Sequence, residues 1–310
     1  MINPIFASSA RRRMRSMRTV IILTLYGAMM LAFAIASSFS VLGRQTVTIG
    51  GMRAGIDNYI YSVALQFALL LLVAPAMTAG SIAGERERQT LDLILVTHTG
   101  AFRIALGKLM ESFGFLVLVL FSSFPMLCVV LLFGGITLVQ VLTVLLFMCV
   151  SAFGALSVGL FASALFKRTA AATVVAYLAI FAIGFGTLVP MAFGNDTLYR
   201  YMGNPDMLNN MDANAFFALV PKSLLFNPGV GLLSLMADQT GLLQRTFYTL
   251  PAGGAYYQLL EKAEFGMIAW INMGAVFAAS LVLTFLSALL IRPRMVRIRR
   301  RQRAEKGLTA

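Results

Sequence analysis

The sequence predicts an all-α membrane protein. It has six transmembrane helices, both termini on the cytoplasmic side, a cytoplasmic amphipathic helix, and re-entrant helices between spans five and six. Three observations carry this reading. Of 310 residues, 59% are hydrophobic and 12% charged, whereas a soluble domain carries roughly 25% charge. The apolar residues come in runs of the roughly 20 residues that a helical span requires. Finally, all but six of the 25 Lys and Arg lie in segments 1–19, 84–111, 167–168 and 292–310. The six exceptions are Arg44, Arg53, Arg200, Lys222, Arg245 and Lys262. The positive-inside rule then places the Arg-rich segments in the cytoplasm.

The chain reads as one transmembrane domain, 1–310. Residues 1–18 form a basic amphipathic segment, with Ile5, Phe6, Met14 and Met17 beside Arg11, Arg12, Arg13, Arg15 and Arg18. Such a segment suits a helix lying on the membrane face or a basic tail that fixes topology. Ala34-Ile35-Ala36 has the form of a signal-peptide cleavage site. The uncharged run continues to Leu42, however, which favours a retained first span. Span two runs from Asn58 to Gly84, with Gln66 and Pro75 inside it. Gly80 and Gly84 have the GxxxG spacing that permits close helix approach.

The stretch from Glu85 to His98 follows. Its four charges come first, and then Leu91, Ile94, Leu95 and His98 fall three and four apart. That is one face of a short amphipathic helix. Residues 112–166 carry no charge, too long for one span, so Gly134-Gly135 marks the turn of a hairpin of spans three and four. In span four, Ser151, Ala155, Gly159 and Ser163 repeat every four residues and favour tight helix packing. Cys128 and Cys149 lie inside apolar runs and read as small core residues rather than a disulfide.

Lys167-Arg168 closes span four, and span five runs from Thr169 to Phe193. The extracytoplasmic stretch 195–264 has an apolar middle, Phe216 to Met236, broken by Asn227-Pro228-Gly229. Each half is too short to span, and proline breaks a continuous helix. Two half-inserted helices joined by that turn fit the pattern, with a small folded cap as the alternative. Span six runs from Phe265 to Ile291, and 292–310 is a basic cytoplasmic tail.

Catalytic chemistry is scarce. Gly107-Lys108 is no nucleotide-binding loop, because Phe102 and Leu109 stand where glycine and Ser or Thr would be needed. His98 is the single histidine, which argues against His-based zinc sites and hydrolytic triads. Glu111, at the start of span three, has Arg103 and Lys108 within one or two turns as ion-pair partners. The basic excess flanks apolar runs, so it points to anionic lipid and not to nucleic acid.

The order Gly84-Glu85-Arg86-Glu87-Arg88, then Thr90-Leu91-Asp92, Leu95 and Thr97, with Gly107-Lys108 opening the next span, resembles the permease subunits of ABC-2 type transporters. With the six-span layout, the resemblance extends over nearly the whole chain. Gln89 stands where that family frequently has glycine, and His98 where proline often follows the second threonine. The resemblance implies that 85–98 is a coupling helix seated on a cytoplasmic ABC ATPase subunit. Its contacting residues would be Glu85, Arg86, Glu87, Arg88, Thr90, Leu91, Asp92 and Leu95. ATP and Mg would then sit on that separate chain, with no catalytic, cofactor-binding or metal residue on this one. The resemblance further implies an exporter of the cell membrane, multi-pass, paired with a second permease chain, like or related. The competing reading is an ion-coupled carrier or membrane-embedded enzyme without a separate ATPase. That reading predicts ionisable groups inside the membrane, and spans one, two, four, five and six contain none. A purely structural membrane subunit is a third reading. Gln66, Tyr177 and Asn272, among many aromatics and methionines, suit amphipathic cargo without defining it.

Overall fold

A backbone in hydrocarbon has no water to bond, so long apolar segments satisfy their own N–H and C=O groups by forming helices. The computed structural model describes residues 17–42, 49–91, 100–123, 131, 136–187, 222–241 and 265–291, and among these there is no strand. The elements in chain order are α1 (Met17–Leu42), α2 (Ile49–Ala79), α3 (Ala83–Glu87), α4 (Ala101–Ser122), α5 (Leu138–Leu165), α6 (Thr169–Phe181), α7 (Pro228–Thr240) and α8 (Phe265–Ile291). A π-helical turn, Ala182–Gly186, extends α6, and a 3₁₀ segment, Lys222–Phe226, precedes α7. Among the described residues, five stretches are long and apolar enough to cross a membrane: Gly55–Glu87, Ala101–Ser122, Leu138–Leu165, Thr169–Gly186 and Phe265–Ile291. Within α1 the apolar stretch is shorter, Leu23–Phe33.

Several boundaries shift from the sequence reading. The second helix begins nine residues before Asn58, at Ile49, and so carries Arg53 and Asp57 in its first turns. Its regular helix ends at Ala79, and Gly80 and Gly84 lie on either side of a turn within the apolar stretch that continues to Glu87. Their closeness to a neighbour is real nonetheless: a Cβ on either would meet Thr169 Cγ2, at 3.9 and 3.5 Å. The third span, α4, starts at Ala101 and holds Arg103, Lys108 and Glu111 in its first three turns. The last helix has the expected limits, Phe265 to Ile291. The Gly134-Gly135 turn, Cys128, His98, most of 1–18 and all of 292–310 lie outside the described residues, as does the end of the fifth span beyond Thr187.

The hairpin half formed by α5 is the centre of the bundle. Thr137 starts it with a reciprocal cap, its hydroxyl accepting from the Gln140 N–H while the Gln140 side chain accepts from the Thr137 N–H. The small-residue stripe then brings α2 against it. A Cβ on Gly159 would overlap the Thr78 hydroxyl and lie 2.9 Å from the Pro75 carbonyl oxygen. The Thr78 hydroxyl donates to the Leu156 carbonyl at 2.8 Å. On the other side, Phe153 packs against Phe113 of α4 and Phe277 of α8, with ring centroids 5.5 and 5.8 Å apart. Cys149 is half-buried on the same helix and forms no disulfide.

The Asn227-Pro228-Gly229 turn opens α7 as its residue types dictate. The Asn227 carboxamide oxygen accepts from the N–H groups of Gly229 and Val230. Proline occupies the first helical turn, where its missing N–H costs nothing. The helix runs for 13 residues and ends at Gly241, whose φ of 62° is a left-handed cap. Its first turn rests on Phe147 and Asn272, since a Cβ on Gly231 would overlap the Asn272 carboxamide and lie 2.8 Å from Phe147 Cζ. Those contacts lie roughly 10–14 Å along α5 and α8 from their first residues, at 1.5 Å per residue. The last turn of α7 instead reaches the start of α5 and Tyr59, ten residues into α2. There the Tyr59 hydroxyl donates to Gln239 Oε1 at 3.0 Å, and Gln239 and Gln140 exchange side chain-to-carbonyl hydrogen bonds of 3.2 and 3.3 Å.

Candidate functional site

The charged stretch begins as expected and then departs from a continuous helix. The five residues of α3, Ala83–Glu87, end in a reversal at Gln89, whose φ is 57°. The Thr90 N–H bonds back to the Glu85 carbonyl at 3.0 Å and the Gln89 N–H to the Arg86 carbonyl at 3.1 Å. This pair of bonds is a Schellman ending, with glutamine at the position that glycine usually fills. The amphipathic spacing of Leu91, Ile94, Leu95 and His98 therefore does not continue the helix that Glu85 starts. Asp92, Leu95 and His98 lie outside the described residues.

Three of the charged side chains are spent within the chain. Arg86 donates from Nη1 to the Ala164 carbonyl at 2.8 Å and to the Phe166 carbonyl at 3.4 Å, at the C-terminal end of α5. Those carbonyls have no partner inside the helix, and a cation is favourable there. Glu87 accepts from the Thr169 N–H at 3.0 Å and from its hydroxyl at 2.9 Å, at the N-terminus of α6. An anion is favourable at that end for the converse reason. Glu85 takes a 3.1 Å ion pair from Lys108 of α4 and a hydrogen bond from the Thr90 hydroxyl. Of the anticipated contact residues, Arg88 remains exposed, while Leu91 is 8% exposed and belongs to the main hydrophobic core.

The linkage also runs the other way. Ser163 Oγ, at the C-terminal end of the stripe on α5, accepts from the N–H groups of Ile82 and Ala83, both at 2.9 Å. It thus caps the start of α3, while Arg86 caps the end of α5. Neither Ser163 nor Thr169 stood out in the sequence as part of this site. Ser163 was visible only as one of four small residues, and Thr169 only as the first residue of a span. A polar cavity of about 450 Å³ lies beside the corner, lined among others by Glu85, Arg88, Lys108, Glu111, Ser112 and Thr169. Among the described residues no group of His, Cys, Asp and Glu is arranged to hold a metal ion.

The polar residues inside the spans turn out to hold helices together. Gln66 Nε2 donates to the Ser123 hydroxyl at 2.6 Å, joining α2 to the end of α4. The Tyr177 hydroxyl donates to the Leu72 carbonyl at 2.6 Å, in the turn before Pro75 of α2. Asn272 Nδ2 donates to the carbonyls of Leu225 and Asn227, at 2.8 and 2.9 Å. Asn227 Nδ2 in turn donates to the Gly184 carbonyl and the Thr187 hydroxyl, both at 2.8 Å. The first of these carbonyls belongs to the π-helical turn that ends α6.

Compared with known proteins, residues 45–289 match the family described as ABC-2 family transporter protein. No curated protein matches the chain.

Proposed function

The chain belongs to the ABC-2 transporter family, and on that premise we propose that it is the permease subunit of an ATP-driven exporter. It forms the membrane path and couples to a separate ABC ATPase subunit, which binds ATP and Mg. The family match over residues 45–289 carries this reading. In this account α1 is the sixth spanning helix, since its 26 residues reach about 39 Å at 1.5 Å each, beyond the ~30 Å of a bilayer core. The basic flanks put both termini in the cytoplasm of a cell-membrane protein. The element 222–241 is re-entrant, a reading supported by its contacts with Phe147 and Asn272, well along α5 and α8 from their first residues. Two permease chains, like or related, complete the path.

The charged corner gives the coupling a physical route. Residues 85–91 are stitched to the end of α5 and the start of α6, and segment 92–98 follows directly, with Leu95 as its apolar contact for the ATPase. Arg88 adds a charge exposed beside it. A displacement of that segment by ATP-driven closure of the ATPases is passed through Arg86 and Glu87 to two membrane helices together. Transport then needs two states of the path with different affinity for cargo, their energy difference supplied by ATP.

Purification of the full-length chain from its native membranes tests the proposal. The expected result is co-isolation of a Walker-motif ATPase, and cargo efflux that stops when ATP is withheld. Isolation with no ATPase, together with efflux driven by an ion gradient alone, overturns it in favour of an ion-coupled carrier.

A further inference from the structure

The small-residue stripe of α5 divides into two parts. At Gly159 and Ser163 it closes against α2 and α3. At Ser151 and Ala155 it opens onto an apolar cavity of about 500 Å³ between α2, α5, α6, α8 and the Asn227 turn. Phe67, Leu71, Val158, Phe185, Phe226 and Val276 make much of the wall, and no charged residue among the described ones lines it. Ser151 is 2% exposed, and its hydroxyl makes no hydrogen bond to any described residue. The hydroxyls of Ser157, Ser280, Thr284 and Ser287 behave differently, each donating to a carbonyl three or four residues back. The Asn227 carboxamide, also on the wall, is committed to the cap of α7 and to the end of α6. Ser151 is therefore an unspent donor on the wall of an apolar chamber, free to bond a polar group that enters it.

We propose that this cavity is a binding site for an uncharged amphiphile, a largely hydrophobic molecule of drug-like size whose carbonyl, ether or hydroxyl oxygen accepts the Ser151 hydrogen. The volume falls within the roughly 300–1,000 Å³ of small-molecule pockets, which are apolar with a few placed polar groups. An ion would lose its hydration against these walls and meet no countercharge. The assignment names a cargo class for the transporter described above and rests on that reading only for its role as cargo; the binding belongs to the permease chain alone.

The test uses the full-length permease in lipid nanodiscs without ATPase. The probe is a long-chain alcohol carrying a diazirine, compared with the matching quaternary ammonium amphiphile, with crosslinks mapped by peptide mass spectrometry. Saturable alcohol labelling of the α5 and α8 segments that line the cavity is expected, and no saturable labelling there by the ammonium. Ser151→Ala raises the half-labelling concentration about 2- to 10-fold, the loss of one hydrogen bond. Ala64→Phe, at the exposed part of the lining, reduces labelling by filling the space. Should that variant fail to fold, Ser151→Ala removes a single atom and decides the matter by itself. Non-saturable labelling spread over the outward faces of α1 and α8, indifferent to Ser151→Ala, overturns the proposal, because bulk lipid alone then fills the cavity. Cavity labelling in a protein that shows no ATP-driven efflux sustains the site and counts only against the transporter reading.

Discussion

Two polar junctions in this bundle are built from different chemistry. At the Glu85 junction, Arg86, Glu87 and Lys108 join α3 to the ends of α4, α5 and α6 with charge-assisted bonds. At the Asn227 junction, two carboxamides join the broken segment before α7 to α6 and α8, with no ion involved. Charges suit a helix end that meets water and lipid headgroups, where desolvation is incomplete. Irregular backbone packed among membrane helices has to be satisfied by neutral donors and acceptors, because an ion there is expensive. The neutral junction also fixes the wall of a cavity, whereas the charged one, on the proposed function, takes the push of the ATPase.

The comparison can be broken at either junction. The largest effect is expected from Leu91→Asp, which places a carboxylate in the core that Leu91 occupies. Lost apolar burial of about 1.5–3 kcal/mol and the cost of burying a charge both act against the fold. Thermal unfolding of the purified permease should show severe destabilisation or no folded protein. Asn272→Leu comes next, at about 1–3 kcal/mol, because it leaves the Leu225 carbonyl without its donor, while the Asn227 carbonyl keeps the Gly231 N–H. Hydrogen exchange should then rise chiefly in 222–241, leaving the Glu85 junction protected.

Glu87→Gln should be milder, about 0.5–1.5 kcal/mol, since it removes charge from the start of α6 while keeping one acceptor. This cost should shrink in high salt, whereas that of Asn272→Leu should not. Unfolding midpoints measured at two ionic strengths distinguish the junctions on that basis. The smallest effect has the opposite sign. Gln89→Gly relieves a left-handed backbone at φ 57° and should stabilise by about 0.5–1 kcal/mol, seen as a raised midpoint.

The sequence made the helices legible because membrane spans are written in long, uncharged runs, and Phe265–Ile291 could be read to the residue. Asn227-Pro228-Gly229 was equally readable, for cap, first-turn proline and glycine each act locally. The contacts of Asn272 were not, since its partners lie some 45 residues away and a lone asparagine in an apolar run carries no direction. In the Glu85 stretch, periodicity does not show a reversal at glutamine, a residue seldom found in the left-handed region. Nor does it show that Leu91 faces inward. The match of Gln89 to a glycine position of the family was the one trace of that turn.

The central claim is that the charged stretch is divided, with 85–91 belonging to the permease fold and 92–98 serving the ATPase. Quantifying the ATPase retained per permease in membranes expressing Leu95→Asp tests it most directly. The account predicts a permease with normal abundance and melting behaviour that has lost most of its ATPase and its ATP-driven efflux. Full retention of ATPase and efflux in that variant would contradict it.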